Sequence, residues 1–260
     1  MNILITQDKN IKFLFRIYYF IFLLIVLSVL TSLIFTNSFY QKSIMTKNVS
    51  INSSEKDLQI SYIRDLQTAK SLLQNKLIDD LHIDQIRETK IIPNITVVKL
   101  PNDLKSIKSI QNRKELFIKI TLPLIVQENE KLLSINKKIK SIKSNINKIS
   151  RKEAIWAQKL MKDYKVDSLD ALLINVDEIP VSLALAQAVI ESGWGTSRFA
   201  YEGNALFGQY VWGSTNHGII PNDRETDAKY KIKSFNNLSE SVASYMKNLN
   251  TNFHYNEFRI

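Results

Sequence analysis

The sequence contains no cysteine and only three histidines among its 260 residues. This lack excludes disulfide frameworks, thiolate nucleophiles and cysteine-based zinc sites, and it leaves little for a histidine-rich metal site. Residues that break regular structure are also scarce, with 6 Gly and 5 Pro against 45% hydrophobic and 10% aromatic residues. Such a chain can form a core, so it is neither collagen-like nor intrinsically disordered. We therefore expect a globular protein that is not a metalloenzyme.

Acidic residues are fewer than basic ones, 25 against 35, and the formal net charge is +10. An excess of this size favours an anionic partner, such as nucleic acid, phospholipid or an acidic polymer. A biased genome is the alternative explanation, because the basic residues are mostly Lys and the chain is also rich in Asn and Ile. The charge alone does not decide between these explanations.

One long stretch, from Ile17 to Phe35, carries no charge at all. In a helix it would span about 28 Å, close to the thickness of the hydrocarbon core of a bilayer. The run is longer than the apolar region of a cleaved signal peptide, so we expect a transmembrane helix that is retained. Lys9, Lys12 and Arg16 precede the run, which predicts a cytoplasmic N-terminus and an external location for the rest of the chain.

Apolar periodicity predicts several further helices. Leucines and alanines at helical spacing favour a helix over about residues 58–80, and Pro93 and Pro101 bracket a short β-rich run. From Leu132 to Ile149, isoleucines at steps of three and four face away from a row of lysines, and this stripe continues to Tyr164. Additional helices are predicted over residues 169–176, 180–192 and 239–250. The last of them has an apolar stripe that should pack against the lobe that holds Glu191, formed by Val242, Tyr245, Met246 and Leu249.

The predicted helix over residues 180–192 has unusual chemistry. Only Ser182 and Gln187 are polar between Val181 and Ile190, so the helix should be buried on nearly all sides, and yet it ends at Glu191. Glu191 could simply reach solvent where the helix ends. The alternative is a carboxylic acid that donates a proton to a leaving oxygen.

Aromatic and amide residues follow Glu191 closely in the sequence. Flat aromatic faces suit pyranose rings, and amide groups suit hydroxyl and N-acetyl groups. Any one of these aromatic residues is also an ordinary core residue, so the set carries more weight than its members. The candidate substrate-binding residues are Trp194, Asn204, Phe207, Gln209, Tyr210 and Trp212.

The run SLALAQAVIESGWGTSRFAYEGNALFGQY resembles the glucosaminidase domains of bacterial peptidoglycan hydrolases, which are related to glycoside hydrolase family 73 and to flagellar-type hydrolases. Residues Asn112 to Leu132 and the run SESVASYMKNLNTNFHYNEFR are most similar to the Bax-like group. The resemblance covers about residues 91–260. It implies a mainly α, lysozyme-like fold with a small β-lobe, and a general acid that maps onto Glu191.

The second catalytic group is less clear. The β-lobe of the family supplies three acidic candidates here, Asp223, Glu225 and Asp227, with His217 nearby, and we take Glu225 as the candidate. An N-acetyl sugar can instead use its own acetamido group in place of a second carboxylate. Acidic residues in a polar loop are also solvated by default.

The resemblance further implies an active-site Tyr that flagellar-type hydrolases carry in a segment beyond the match. We assign that role to neither Tyr245 nor Tyr255, so the glucosaminidase domain is expected to be incomplete at its C-terminus. The predicted order is a cytoplasmic tail (1–16), a transmembrane anchor (17–36), a linker (37–57), a helical N-terminal region (58–165) and the glucosaminidase domain (166–260).

These expectations describe a protein whose chain crosses the bacterial inner membrane once. Its domain on the periplasmic or extracytoplasmic side is expected to hydrolyse N-acetylglucosaminyl linkages of peptidoglycan. No metal or organic cofactor is needed for this chemistry. One alternative is a lytic transglycosylase on the same polymer, and another is a non-catalytic, membrane-tethered peptidoglycan-binding or scaffold protein. Nucleic acid is a poor candidate partner because an external domain does not meet it.

Overall fold

The computed structural model describes residues 61–63, 68–69, 72, 76–89, 91–213, 217–225 and 228–259. The predicted cytoplasmic tail, transmembrane anchor and linker all lie outside these residues. Within the described ranges, the structure contains no helix with both the length and the apolar character needed to cross a membrane.

Two short strands form a parallel pair near the start of the described chain. Strand β1 (Ser61–Ile63) pairs with β2 (Ile95–Val97), and helices α1 (Lys76–Asp79) and α2 (Ile83–Thr89) lie between them in sequence. The β-rich run between the two prolines is thus confirmed by β2, whose three residues are all buried. The continuous helix predicted over residues 58–80 is wrong at β1, because pairing with a buried strand outweighs local helical periodicity there.

The longest helix, α3 (Ile110–Ser144), begins at Ser109, whose Oγ accepts a hydrogen bond from the backbone of Asn112. The predicted stripe through Ile149 is interrupted, because α3 ends and a 3-10 turn (Ile146–Lys148) precedes a separate helix, α4 (Arg151–Tyr164). A capping box between Ser150 and Glu153 begins α4 and satisfies backbone donors of its first turn.

Three short helices follow, α5 (Leu169–Asn175), α6 (Val181–Ser192) and α7 (Arg198–Gly203), and the first two confirm the predicted elements. The expectation that α6 is buried on nearly all sides is wrong. Only Ala184, Ala188 and Ser192 are fully buried on α6, whereas the side chain of Ile190 is 69% exposed. These small residues recur every four positions, so they form the single face that packs on α3.

An antiparallel sheet forms the small β-lobe, with strand order β3 (Tyr210–Trp212), β5 (Tyr230–Lys233) and β4 (Gly218–Ile219). Helix α8 (Leu238–Thr251) follows the sheet and precedes 3-10 turns at Phe253–Tyr255 and Glu257–Arg259. This mainly helical fold with a small sheet agrees with the lysozyme-like domain that the resemblance implies.

One hydrophobic cluster joins side chains from Ala69 to Leu249. The predicted apolar stripe of α8 belongs to it, since Val242, Tyr245, Met246 and Leu249 are all buried. The start of α8 is also hydrogen-bonded to the residue after β2, because the amide of Leu238 donates to the carbonyl of Val98. Helix α8 is therefore an integral part of the core and positions the residues discussed next.

Candidate active site

Buried asparagines fix the segment that leads into α6. Asn129 of α3 makes two hydrogen bonds with the backbone of Ile179, donating through Nδ2 at 2.7 Å and accepting through Oδ1 at 2.9 Å. Asn136 donates to the carbonyl of Val176 at 2.6 Å, and Asn250 of α8 donates to that of Asp177 at 2.8 Å. Because these backbone groups are satisfied by rigid helices, the start of α6 is held in a single position.

The other end of α6 is closed by a tight turn. Gly193 has a φ of +57°, a left-handed conformation that favours glycine, and the amide of Trp194 donates back to Val189. Ser192 is buried and its Oγ accepts a hydrogen bond from the amide of Gly195 at 2.9 Å. Glu191 lies in this last turn and is exposed to solvent.

The carboxylate of Glu191 faces a position that has no side chain. A Cβ atom built on Gly208 would lie 3.6 Å from Oε2 of Glu191, so the backbone of Gly208 is next to the carboxylate. Gly208 has a φ of +57°, a conformation in which other residues are strained. The glycine therefore leaves open space beside an exposed carboxylate.

Tyr245 of α8 is near enough to Glu191 for the carboxylate to act on its phenol electrostatically. Burial is the main cause that raises the pKa of Tyr245 to about 12, and the neighbouring Tyr255 and Glu191 raise it further. The phenol is therefore neutral at ordinary pH and can donate a hydrogen bond. The sequence predicts that the apolar stripe containing Tyr245 packs against the lobe that holds Glu191, but it gives neither Tyr245 nor Tyr255 a catalytic role. Burial of Tyr245 in the core agrees with that packing.

Three of the predicted substrate-binding residues are held by α8 and the segment before it. Phe207 is buried and stacks on Tyr245. Asn204 is buried and donates to the carbonyl of Phe235 at 2.9 Å, while Gln209 donates to that of Ser244 at 3.3 Å. The side-chain oxygens of Asn204 and Gln209 are buried without a hydrogen-bond partner in the structure. These two oxygens are free acceptors close to Phe207 and Gly208 in sequence.

The other predicted aromatic residues on the β-lobe form an exposed surface. Tyr210 and Trp212 are 55% and 64% exposed, and their ring centroids are 6.0 Å apart. Tyr230, which sequence reasoning missed, is the cross-strand partner of Trp212 and contacts Tyr210 edge-on at 5.0 Å. The pairing register of β3 and β5 brings the three rings together, and this register was not apparent from the sequence.

Trp194 lies elsewhere, at the edge of the core. Its ring meets Phe117 of α3 edge-on at 6.1 Å, and the ammonium group of Lys114 lies 4.8 Å from its ring centroid. Its backbone φ of +59° is set by the turn that ends α6. A contribution of Trp194 to substrate binding remains a prediction.

The second acidic candidate, Glu225, is exposed in the loop between β4 and β5. No hydrogen bond or ion pair joins its carboxylate to α6 in the parts of the chain that the structure covers. Asp223 and His217 are also exposed, and Asp227 lies outside the described residues. Across these same ranges, no group of three or more His, Asp or Glu could hold a metal ion.

Comparison with known proteins gives two matches to this chain. Residues 156–259 match the glucosaminidase family, described as mannosyl-glycoprotein endo-beta-N-acetylglucosaminidase. Over 168 residues, the chain is 32% identical to Protein bax of Escherichia coli (strain K12), covering 60% of this chain and 58% of that protein. The chain thus spans little more than half the length of this curated relative. No solved structure matches the chain.

Proposed function

The chain is a Bax-like glucosaminidase-domain protein, and on this basis we propose that it hydrolyses N-acetylglucosaminyl linkages in the glycan strands of peptidoglycan. Glu191 acts as the general acid in this proposal. The observation that carries it is the exposed carboxylate at the end of α6, which adjoins the bare backbone of Gly208. A glycosidic oxygen placed in that space could receive the proton of the carboxylic acid.

Substrate binding is assigned to the aromatic surface of the β-lobe. The rings of Tyr210, Trp212 and Tyr230 offer flat apolar faces to pyranose rings. The side chains of Asn204 and Gln209 are bonded to the backbone behind this surface and hold the segment that carries Gly208. Together they support a saccharide that runs along the β-lobe toward Glu191.

The nucleophile of the reaction has two possible sources. The acetamido oxygen of the substrate can attack the anomeric carbon as Glu191 protonates the departing glycosidic oxygen, and water then opens the resulting oxazolinium ring with Glu191 as the base. Glu225 would be needed only if water attacks the anomeric carbon directly, with Glu225 as its base. Because the loop of Glu225 is exposed and unlinked to α6 in the described residues, we favour the acetamido route.

The full-length chain, incubated with purified peptidoglycan, tests the activity through mass spectrometry of the released fragments. We expect reducing ends at N-acetylglucosamine, formed by addition of water. Glu191→Gln should lower the rate by about two or more orders of magnitude, because the amide has the shape of the acid but no proton to donate.

Glu202→Gln is the matched control, since Glu202 is an exposed glutamate on the neighbouring helix α7 that pairs with Arg198 at 3.4 Å. This variant should keep full activity. Anhydro products would instead identify a lytic transglycosylase, and binding of peptidoglycan without cleavage would identify a scaffold protein. Equal rates for the wild-type chain and Glu191→Gln would contradict the role of Glu191.

The proposal includes a membrane anchor at residues 17–36 and an external catalytic domain. It is supported by the length of the uncharged run and by the basic residues before it. N-terminal sequencing of the mature protein and protease accessibility in spheroplasts provide the test. A mature chain that begins after residue 36 would contradict the anchor.

A further inference from the structure

The positive charge of the protein is concentrated in one part of the fold. Between Lys131 and Lys165 the chain has eleven Lys and Arg residues and two acidic residues, so this stretch carries +9 of the net charge of +10. It comprises the second half of α3, the following 3-10 turn and all of α4, and we call it the cationic corner (residues 131–165). All eleven basic residues are exposed.

Few acidic groups neutralise the cationic corner. Lys131 pairs with Glu128 at 3.0 Å, and Lys143 pairs with Asp170. The carboxylate of Glu153 already accepts hydrogen bonds from the backbone amide and the hydroxyl group of Ser150. Among the residues that the structure describes, most cations of the corner therefore have no ion pair with a carboxylate.

Two of these cations lie at the N-terminal end of a helix, a position that is unfavourable for positive charge. Arg151 and Lys152 occupy the first turn of α4, where the helix dipole is positive and prefers an acidic side chain. Their charge therefore does not stabilise α4. A role outside the fold explains such residues better than a role in its stability.

Exposed aliphatic side chains are interleaved with these cations. Ile146, in the 3-10 turn, is 50% exposed, and Ile155, in α4, is 56% exposed. Lys148, Arg151 and Lys152 lie between them in sequence. Cations beside protruding aliphatic groups match the chemistry of a bilayer surface, where phosphate groups lie above hydrocarbon. A soluble polyanion would use the cations but offers nothing to the isoleucines.

We propose that the cationic corner docks on the surface of an anionic phospholipid bilayer. The lysines and arginines bind lipid phosphates, and Ile146 and Ile155 enter the boundary between headgroups and acyl chains. The part of the corner near Lys143 is far from the turn that follows α6. Lys114 contacts Trp194 of that turn, and Lys143 lies 29 residues after Lys114, a distance of about 43 Å along α3. The other end of the corner returns to α8, because Lys247 lies over the ring of Tyr164.

The absence of cysteine makes a local test possible, because one introduced thiol can carry one probe. Asn147→Cys places an environment-sensitive fluorophore in the corner, and Asn222→Cys places it on the β-lobe as a matched control, since both asparagines are exposed. The full-length labelled chains are incorporated into vesicles of phosphatidylcholine, with or without phosphatidylglycerol. The readout is local, so it does not depend on whether residues 17–36 hold the chain on the vesicle.

We expect the probe at residue 147 to shift to the blue and to be protected from an aqueous quencher only in vesicles with phosphatidylglycerol, whereas the probe at residue 222 stays exposed. Replacing Lys148, Arg151 and Lys152 by Gln should lower the ratio of protected to exposed probe about 100-fold, at about one kcal/mol per cation. High salt should also lower the ratio of protected to exposed probe, because it screens the attraction between the cations and the lipid phosphates.

The combined variant Ile146→Gln and Ile155→Gln separates a bilayer from a soluble polyanion. We expect it to lower the protected-to-exposed ratio about tenfold while the charge of the corner is unchanged. Circular dichroism checks that each variant is folded. The proposal is overturned by a probe at residue 147 that stays exposed, by equal protection at residue 222, or by unchanged protection in either set of variants.

Discussion

The rings of Phe207 and Tyr245 are stacked, with their centroids 4.0 Å apart and their planes 4° from parallel. Phe207 immediately precedes Gly208, whose backbone adjoins Glu191, and Tyr245 lies in the middle of α8. A buried stack of this kind contributes about 1 kcal/mol beyond its area. It joins Tyr245 of α8 to the segment that carries Gly208, beside Glu191.

Tyr245→Phe should keep this stack and remove only the hydroxyl group. If the phenol hydrogen-bonds to the carboxylate or to the substrate during reaction, kcat falls about tenfold or more while thermal stability changes little. Tyr164→Phe is the control, because burial also raises the pKa of Tyr164 to about 12 but its acidic neighbours are Glu128 and Asp163. Equal kcat values for both variants and the wild-type chain would remove Tyr245 from the mechanism.

Trp212→Ala tests the aromatic surface of the β-lobe. The side chain is largely exposed, so its removal should leave the fold intact and raise KM about tenfold through loss of stacking on a sugar ring. Ile220→Ala, at another exposed apolar side chain of the same lobe, should leave KM unchanged. Kinetics on soluble glycan fragments give both values, and matching KM values would show that the surface does not bind substrate.

Lys247 gives the protein a pH-dependent stability. Burial lowers the pKa of Lys247 to about 8, although Asp163 acts in the opposite direction, and its ammonium group lies over the ring of Tyr164. The unfolded chain keeps this proton up to a pKa of about 10.4, so it binds more protons than the folded chain between pH 8 and 10. This group therefore makes the protein more stable as the pH rises through that window.

Lys247→Met removes the charged group and should raise the free energy of unfolding at pH 7 by about 1 kcal/mol, after allowance for solvent screening. The rise in stability between pH 8 and 10 should become smaller in the variant. Urea denaturation at several pH values measures both effects. A variant that is less stable than wild type at pH 7 would show that the contact with Tyr164 outweighs the desolvation of the ammonium group.

Gly195 joins the turn after α6 to the N-terminal part of the core. A Cβ atom at this position would lie 2.9 Å from the side chains of both Leu104 and Phe117, and the φ of +74° is unfavourable for alanine. Gly195→Ala should therefore destabilise the protein by about 3 kcal/mol. Gly193→Ala is the control, since it has a similar φ but a nearest contact of 3.4 Å, and it should cost about 1 kcal/mol. Similar melting temperatures for the two variants would argue against close packing at Gly195.

Sequence reasoning succeeded where a pattern is local. The helix that carries Glu191 is framed by Pro180 and Gly193, and both marks are used in the structure. The break between α3 and α4 was also encoded, because Ser150 and Glu153 have the spacing of a capping box. The break was not predicted, because the apolar periodicity continues from Leu132 to Tyr164.

Long-range pairing could not be predicted in the same way. Strand β1 depends on β2, which pairs with it from more than thirty positions away in the sequence, and its own residues fit a helical pattern. The burial of α6 was overestimated, because the apolar composition of a helix does not determine how many of its faces are covered by other elements. The apolar stripe of α8 predicts that Tyr245 packs against the lobe that holds Glu191, but a local pattern does not identify Phe207 as its stacking partner.

The hydrogen bond from Asn250 to the carbonyl of Asp177 also sets an order of events during synthesis. Helix α6 emerges from the ribosome before α8, and without α8 it lacks this bond and the stack beneath Gly208. Glu191 therefore meets these surroundings only after residues 238–251 are made. A nascent chain shorter than this has the Glu191 carboxylate without the contacts that α8 supplies, so the hydrolysis that we propose would have to wait until α8 has been synthesised.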